Sequence, residues 1–278
     1  MKDYTLTDDL DLAREIAREA GLLLRDGWEN ADDPDIEYKG RINLVTKYDK
    51  ASENIIVNHL SEKRPEDSIL GEESGEHPGS SNRLWCIDPL DGTTNFAHRL
   101  PFFTVSITLM IDGEPVVGVV YNPALEMEFY AATGMGAFLN GKRLPTVKPG
   151  ELDRALILYG CGYDRRENPQ RYIRMMETYM VASQGIRRTG SASFDCCLVA
   201  CGQADAYVEV NLYPWDIAAG SLIGMETGCI ITDVNGETFD PFTGRIMIAK
   251  PVVHEQLLEL SNAQELFAGE FTGEWKKK

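Results

Sequence analysis

The residues that could do chemistry are acids set beside glycine turns. In Trp85-Cys86-Ile87-Asp88-Pro89-Leu90-Asp91-Gly92-Thr93-Thr94-Asn95-Phe96 an apolar run delivers Asp88 at its end and Asp91 follows in the loop. Pro89 stiffens the bend, so both carboxylates can face one cation. Gly92 and Thr93 then open a short helix that must stop before Pro101. Its first N–H groups lack intrahelical partners and favour a phosphate, through hydrogen bonding and the helix dipole. Carboxylates for a metal beside a helix start for a phosphate are what metal-assisted phosphoester hydrolysis requires. The plainer reading of this segment alone is a turn. Glu72-Glu73, between Gly71 and Ser74-Gly75, would alone be solvated surface, and Asp216, in Trp215-Asp216-Ile217-Ala218-Ala219-Gly220, would alone be a helix cap. Together the three clusters offer hard oxygen ligands that suit Mg²⁺ rather than zinc.

The elements that must position these acids follow from periodicity and breakers. Thr7, followed by Asp8 and Asp9, predicts a helix N-cap, and Leu12, Ile16, Leu23 and Leu24 give an apolar face up to Gly27. Residues 28–43 read as a long polar connection. A second helix starts near Asp49 and turns Ile55, Ile56 and Leu60 inward, while 68–70 and 84–87 are short strands that end in acids. A hairpin about Asp112-Gly113 and strands at 127–132 and 137–139 make an antiparallel meander. Pro145 and Pro149-Gly150 mark a boundary between halves 1–148 and 149–278. The second half predicts a strand at 155–158, helices at 171–182 and 194–201, and a strand at 206–210. Asp216 then opens a helix that Gly228 closes, 229–232 with the Asn235-Gly236 turn makes a final hairpin, and a helix covers 254–260.

Composition narrows the partners. With 278 residues, 43% hydrophobic and 26% charged, the chain can bury a core as one large domain or two packed together, and disordered or disulfide-stapled classes are excluded. The net charge of -17 repels nucleic acid and anionic membranes, so direct nucleic acid binding is not expected. An anionic ligand would need recruited cations, which metal ions supply. The N-terminus has no apolar run of signal-peptide length, and no window approaches the roughly 20 apolar residues of a membrane helix. Cys86, Cys161, Cys196, Cys197, Cys201 and Cys229 lie mostly in apolar stretches, which fits reduced thiols in a cytoplasmic protein. No further Cys or His joins Cys196, Cys197 and Cys201 to complete a zinc site.

The ordered motifs Gly71-Glu72-Glu73-Ser74, the 85–96 segment and Trp215 to Gly220 closely resemble those of the inositol monophosphatase family of Mg²⁺-dependent, lithium-sensitive phosphatases. The resemblance runs from about Ala13 to Ala249, with Asn43-Leu44-Val45-Thr46 before Asp49 and Ala204-Asp205-Ala206-Tyr207 before Glu209. It is faintest over 151–185, where Tyr159-Gly160-Cys161-Gly162 does not match clearly. It implies an α+β / α/β two-part fold, a layered αβαβα sandwich with an antiparallel N-terminal sheet and a mixed C-terminal sheet, and a homodimer.

Carried onto this sequence, the resemblance implies that Glu72, Asp88 and the Leu90 carbonyl hold one Mg²⁺ and that Asp88, Asp91 and Asp216 hold a second. A third, weaker ion would lie near Glu72. Asp49, Thr93 and Glu72 would orient or deprotonate the attacking water, and the Gly92 and Thr93 amides would bind phosphate, with Glu73 in support. Asp91, Ser191, Ala192 and Glu209 would contact the polyol; Glu209 suits a neutral polyol, would repel a second phosphate, and is otherwise a solvated strand-end acid. Lys39 resembles a mobile-loop lysine or is plain surface, and His98 reads as a local helix or interface residue. The implied reaction is hydrolysis of inositol 1-phosphate. The rivals are fructose 1,6-bisphosphate, histidinol phosphate, 3'-phosphoadenosine 5'-phosphate or NADP as substrate, and, in another class, a regulatory protein-binding role in transcription.

Overall fold

The structure, a computed structural model, describes residues 4–30, 37–38, 44–162 and 164–268. In chain order its elements are α1 (Leu6–Asn30), β1 (Glu37–Tyr38), β2 (Leu44–Val45), α2 (Lys47–Lys63), β3 (Ser68–Gly71), β4 (Gly75–His77), β5 (Arg83–Asp91) and α3 (Thr93–Ala97). The meander β6 (Thr104–Ile111), β7 (Glu114–Asn122), β8 (Met127–Ala132), β9 (Gly136–Leu139) and β10 (Lys142–Arg143) follows. Then come β11 (Leu156–Tyr159), α4 (Pro169–Ala182), β12 (Gly185–Arg187), α5 (Ala192–Ala200), β13 (Ala206–Val210), α6 (Pro214–Met225), β14 (Ile230–Thr232), β15 (Arg245–Ala249) and α7 (Pro251–Ala263).

Five layers result. Ala13, Ile16, Leu24, Ile56 and Leu60 of α1 and α2 pack on one face of an eight-stranded sheet through Trp85, Ile107 and Val117. Phe194, Cys197, Leu222 and Ile223 of α5 and α6 pack on its other face against Val120 and Phe129. The reverse sides of the same two helices, Cys196 and Ile217 among them, meet Tyr207 and Ile248 of a five-stranded sheet. Its outer face is covered by Tyr172, Met175 and Tyr179 of α4 and Leu257 of α7. A helix between two sheets must be apolar all round, and α6 accordingly buries every residue from Pro214 to Gly224.

The larger sheet has the order β10-β9-β8-β7-β6-β5-β3-β4 and the smaller β12-β11-β13-β15-β14. The smaller is mixed, as expected, with β11 parallel to β12 and β13, and β13 antiparallel to β15. The larger is antiparallel except for the pair β3 and β5, and that exception sets the end of β3 beside the acid-bearing part of β5.

Several local expectations need correction. The N-cap of α1 is Thr5, not Thr7: the Asp8 N–H donates to Thr5 Oγ1 at 3.2 Å and Asp8 Oδ2 accepts the Thr5 N–H at 2.9 Å. Asp9 is a buried ion-pair centre, bonded to Arg64 and Arg83 at 2.8 and 2.7 Å. The helix runs on through Gly27 to Asn30, and the glycine serves packing instead of a stop, since the Tyr48 ring fills the space that a β-carbon there would need. The expected connection over 28–43 is in part structured, since α1 reaches Asn30 and β1 pairs with β2; Lys39 lies outside the described residues. The final hairpin shrinks to one bridge between Thr232 and Thr238, and the long partner of β14 is β15, which the sequence reading passed over. Asp216 stands in the first turn of α6, behind Pro214, and does not open the helix. All six cysteines are free, with Cys161 and Cys201 half-buried and the rest buried.

Candidate active site

Parallel pairing of β3 and β5 places Gly71 opposite Ile87, so Glu72, just past the end of β3, stands beside Asp88; both Asp88 and Asp91 lie within β5, which runs on past the expected strand end at 87. Side chains three apart on a regular strand point to opposite faces. Between Asp88 and Asp91, however, the register against β6 slips by one residue, from Ser106 to Thr104. That bulge returns Asp91 to the face of Asp88. Asp216 approaches from α6, and all four acids line one cleft with Leu90, Gly92 and Thr93. Gly92 has φ +90°, and a β-carbon there would stand 2.7 Å from the Phe102 carbonyl oxygen, so only glycine fits before α3.

Electrostatics show what the site lacks in protein alone. Burial, then the charges of Glu72, Asp91 and Asp216, push the Asp88 carboxyl well above the carboxylate range. Burial and Asp91 do the same to Asp216. Burial also raises Asp91, against hydrogen bonds from Ser193, Ser191 and Ala192. Buried oxygen donors that repel one another fit a hard divalent cation. Among the described residues no three His, Cys, Asp or Glu side chains are already closed into a metal site; the carboxylates line the cleft without converging on one point.

Around them lies a supporting shell. Thr93 Oγ1 is 2.9 Å from Asp49 Oδ1 and 3.1 Å from the Leu90 carbonyl oxygen. Asp49 Oδ2 accepts the Thr46 N–H and hydroxyl, both at 2.7 Å, which closes the cap of α2. Burial raises the Asp49 carboxyl, opposed by the bonds from Thr46 and Thr93. Glu53, absent from the sequence reading, accepts the N–H groups of Glu73 and Ser74 at 2.9 and 2.6 Å and so holds the Glu72 turn. Glu53 is spaced four residues from Asp49, one helical turn, and that was its available signal.

The second half of the chain closes the site through Asp91. Its carboxylate accepts the Ser191 hydroxyl at 2.8 Å, the Ser193 hydroxyl and N–H at 2.6 and 2.8 Å, and the Ala192 N–H at 3.3 Å. Ala192 lines the cleft, whereas Ser191 is 1% exposed and lies beneath it. Asn95 ties the same loop to α3 by donating to the carbonyls of Thr189 at 3.0 Å and Phe102 at 2.6 Å. Glu209 shares the inner face of β13 with Tyr207, as period-two alternation demands, and accepts the Tyr207 hydroxyl at 2.6 Å. Burial raises the Glu209 carboxyl to about 7, with the Tyr207 bond opposing.

The turn after β11 and the segment before α5 bring Cys161, Gly162, Arg165 and Arg188 to this cleft. Sequence reasoning did not name them as site residues, because nothing local links residue 165 to residue 188. His98 is exposed at the end of α3, outside the cleft.

A profile of the inositol monophosphatase family matches residues 6–266. Nus factor SuhB of Escherichia coli K12 is 39% identical over 260 residues, covering 91% of this chain and 97% of that protein. Inositol monophosphatase 2 of Solanum lycopersicum is 37% identical over 263 residues, 92% of this chain and 98% of that one. The inositol monophosphatase structure from Anabaena superposes with a TM-score of 0.84 at 37% identity, covering 93% of this chain and 96% of that one. Among the described residues no helix is long and apolar enough to cross a membrane. The chain thus belongs to the metal-dependent inositol monophosphatase family and is a phosphoric monoester hydrolase.

Proposed function

We propose that this chain hydrolyses the phosphate monoester of a polyol, inositol 1-phosphate first, with two to three Mg²⁺ ions as cofactor. The observation that carries the reading is the burial of Asp88 among Glu72, Asp91 and Asp216, a repulsion that bound cations relieve. Glu72, Asp88 and the Leu90 carbonyl would hold one ion, Asp88, Asp91 and Asp216 a second, and Glu72 a weaker third. When bound, Mg²⁺ lowers the pKa of water and neutralises a leaving alkoxide. Thr93, donating its proton to Asp49 at 2.9 Å, keeps its oxygen lone pairs to orient the attacking water, and Glu72 takes up the proton. The Gly92 and Thr93 amides bind the phosphate oxygens. Ala192 and Glu209 meet the polyol hydroxyls, with Asp91 and Ser191 behind them.

Release of inorganic phosphate from inositol, sugar, histidinol and nucleotide phosphates, with and without Mg²⁺, tests this. Mg²⁺-dependent release that Asp88→Asn and Asp216→Asn abolish, with circular dichroism unchanged, is the expected result; normal turnover in either variant overturns it. Millimolar-scale lithium is expected to inhibit the Mg²⁺-saturated enzyme.

The identity with Nus factor SuhB supports a second reading, a regulatory contact with the transcription machinery. At a net charge of -17 its partner would be a basic protein rather than RNA, which a pull-down with purified components decides. The family resemblance supports a homodimer, and the free cysteines support a cytoplasmic setting.

A further inference from the structure

The turn after β11 matches the family pattern least, yet it supplies Cys161, Gly162 and Arg165 to the cleft. It lies directly on the end of β13, since a β-carbon at Gly162 would stand 2.6 Å from the Val210 carbonyl oxygen and 2.8 Å from both Asn211 Cβ and Tyr172 Oη. Three side chains join across that contact. The Tyr172 hydroxyl, on α4, donates to Asp164 Oδ1 and accepts an N–H of the Asn211 side chain at 3.2 Å. Asp164 Oδ2 in turn accepts from Asn168 at 2.9 Å and from Arg171 at 3.4 Å, which fixes the carboxylate to the start of α4. Burial opposes its charge, but the bonds from Tyr172, Asn168 and Asn211 outweigh burial and hold the Asp164 carboxyl below its ordinary range. An ionised acceptor at one end gives the chain a single direction, from amide to hydroxyl to carboxylate.

Asn211 takes up this position against two unfavourable features. Its φ of +61° lies in the left-handed region that favours glycine, and its Oδ1 is buried with no partner among the described residues. Strain at such a residue persists where its surroundings hold it in place, and the bonds its side chain makes here go to Tyr172 and Asp164. Asn211 follows Glu209 by two residues and precedes Leu212, which also lines the cleft. The three side chains therefore tie the rim turn to the strand end that carries Glu209.

We propose that Asp164, Tyr172 and Asn211 are positioning residues, a latch that holds the turn after β11 against β13 and so sets the shape of the polyol end of the cleft. This rests on the reading above that the cleft hydrolyses a polyol phosphate. None of the three lines the cleft, and the carboxylates proposed for the metals stand on β5, on α6 and just past β3. The latch accordingly governs how tightly the polyol is held and leaves the metal chemistry alone. Placement of a wall is a sensitive control, since a shift of about 1 Å can cost about 100-fold in rate.

Two variants of the full chain test the latch. Tyr172→Phe removes the hydroxyl and keeps the ring; Asn211→Gly removes the amide and suits the left-handed backbone. With Mg²⁺ present, each should raise KM for inositol 1-phosphate at least fivefold while kcat stays within twofold and the Mg²⁺ concentration for half-maximal rate is unchanged. The double variant should exceed the worse single one by no more than twofold, because both cut the same chain. Alkylation of Cys161 by iodoacetamide, followed by mass spectrometry of its peptide, reads the turn without any turnover. It should quicken at least threefold in each variant, while Cys201, the other half-buried thiol, keeps its rate as the control for a loosened fold. An unchanged KM overturns the latch, as does an unchanged Cys161 rate or an equal rise at both cysteines. No phosphate release by the parent from any ester, inositol 1-phosphate included, overturns the phosphatase reading instead. In that event the alkylation rates alone decide the latch: a rise confined to Cys161 supports it, and any other pattern refutes it.

Discussion

Glu209 keeps its place because residue 160 is glycine: a β-carbon at Gly160 would coincide with the Glu209 carboxylate. The contact joins the end of β11 to the inner face of β13, where the two strands run parallel. It explains a glycine in the stretch that matches the family pattern least.

Gly160→Ala should therefore displace Glu209 and lower kcat/KM for inositol 1-phosphate at least tenfold, mainly through KM. Overpacking of this kind costs about 1–3 kcal/mol of stability. Steady-state kinetics and a melting curve check both; an unchanged KM would separate Glu209 from substrate binding.

Glu209 also sets a pH dependence. Its carboxyl moves from an ordinary 4.5 to about 7 because burial penalises the charged form. The folded state therefore binds the proton more tightly, and the associated stability is present below 4.5 and lost as pH rises to 7. Glu209→Gln removes the term, so its stability relative to the parent should improve from pH 4.5 to pH 8, by about 3 kcal/mol at most. Denaturant titrations in chelator at the two pH values measure the difference. A parallel offset would refute the shift.

Mg²⁺ should raise the melting temperature, since a ligand at 100 times its Kd adds about 2.7 kcal/mol per site. Asp88→Asn and Asp216→Asn should lose most of that rise. Without metal the same variants should melt no lower than the parent, because each removes one of several buried like charges. Differential scanning fluorimetry in chelator and in Mg²⁺ gives both readings, and a parent that does not respond to Mg²⁺ would count against the metal assignment.

Glu53→Gln replaces one acceptor oxygen with an NH₂ group facing the N–H of Glu73 or Ser74. The Glu72 turn should loosen, and Mg²⁺ affinity should fall about 10–100-fold, the usual scale for a residue that supports a metal ligand. Calorimetric Mg²⁺ titration checks it; an unchanged affinity would mean the turn holds itself.

Much of the site was legible because its acids sit at breaks in local patterns. Asp88 ends a buried run, Asp91-Gly92 interrupts it, and Asp216 follows a proline that starts a helix. Glu209 entered through the family resemblance, with a solvated strand end as its plain alternative; the structure buries it on the inner face of β13. What was not legible depends on pairing between distant segments. The parallel contact of β3 with β5 decides that Glu72 meets Asp88, and the one-residue slip against β6 decides that Asp91 faces the same way. Arg165 and Arg188 come together through the β11 neighbourhood, and no spacing within either segment records it. Strand β15 was missed because the Asn235-Gly236 turn drew the hairpin too close, although its true partner starts at Arg245.

The buried double-faced helices α5 and α6 carry a last consequence. Asp216 stands on α6 and the donors to Asp91 start α5, so the groups that would do the chemistry are anchored where both flanks are packed. Gly160, Arg165 and Arg188 belong instead to turns at the rim of the smaller sheet. A rim turn could thus be exchanged for one of another sequence while the packed helices stay in place, as a tool head is changed on a fixed shaft. New selectivity can be grafted onto this scaffold without relaying its foundations.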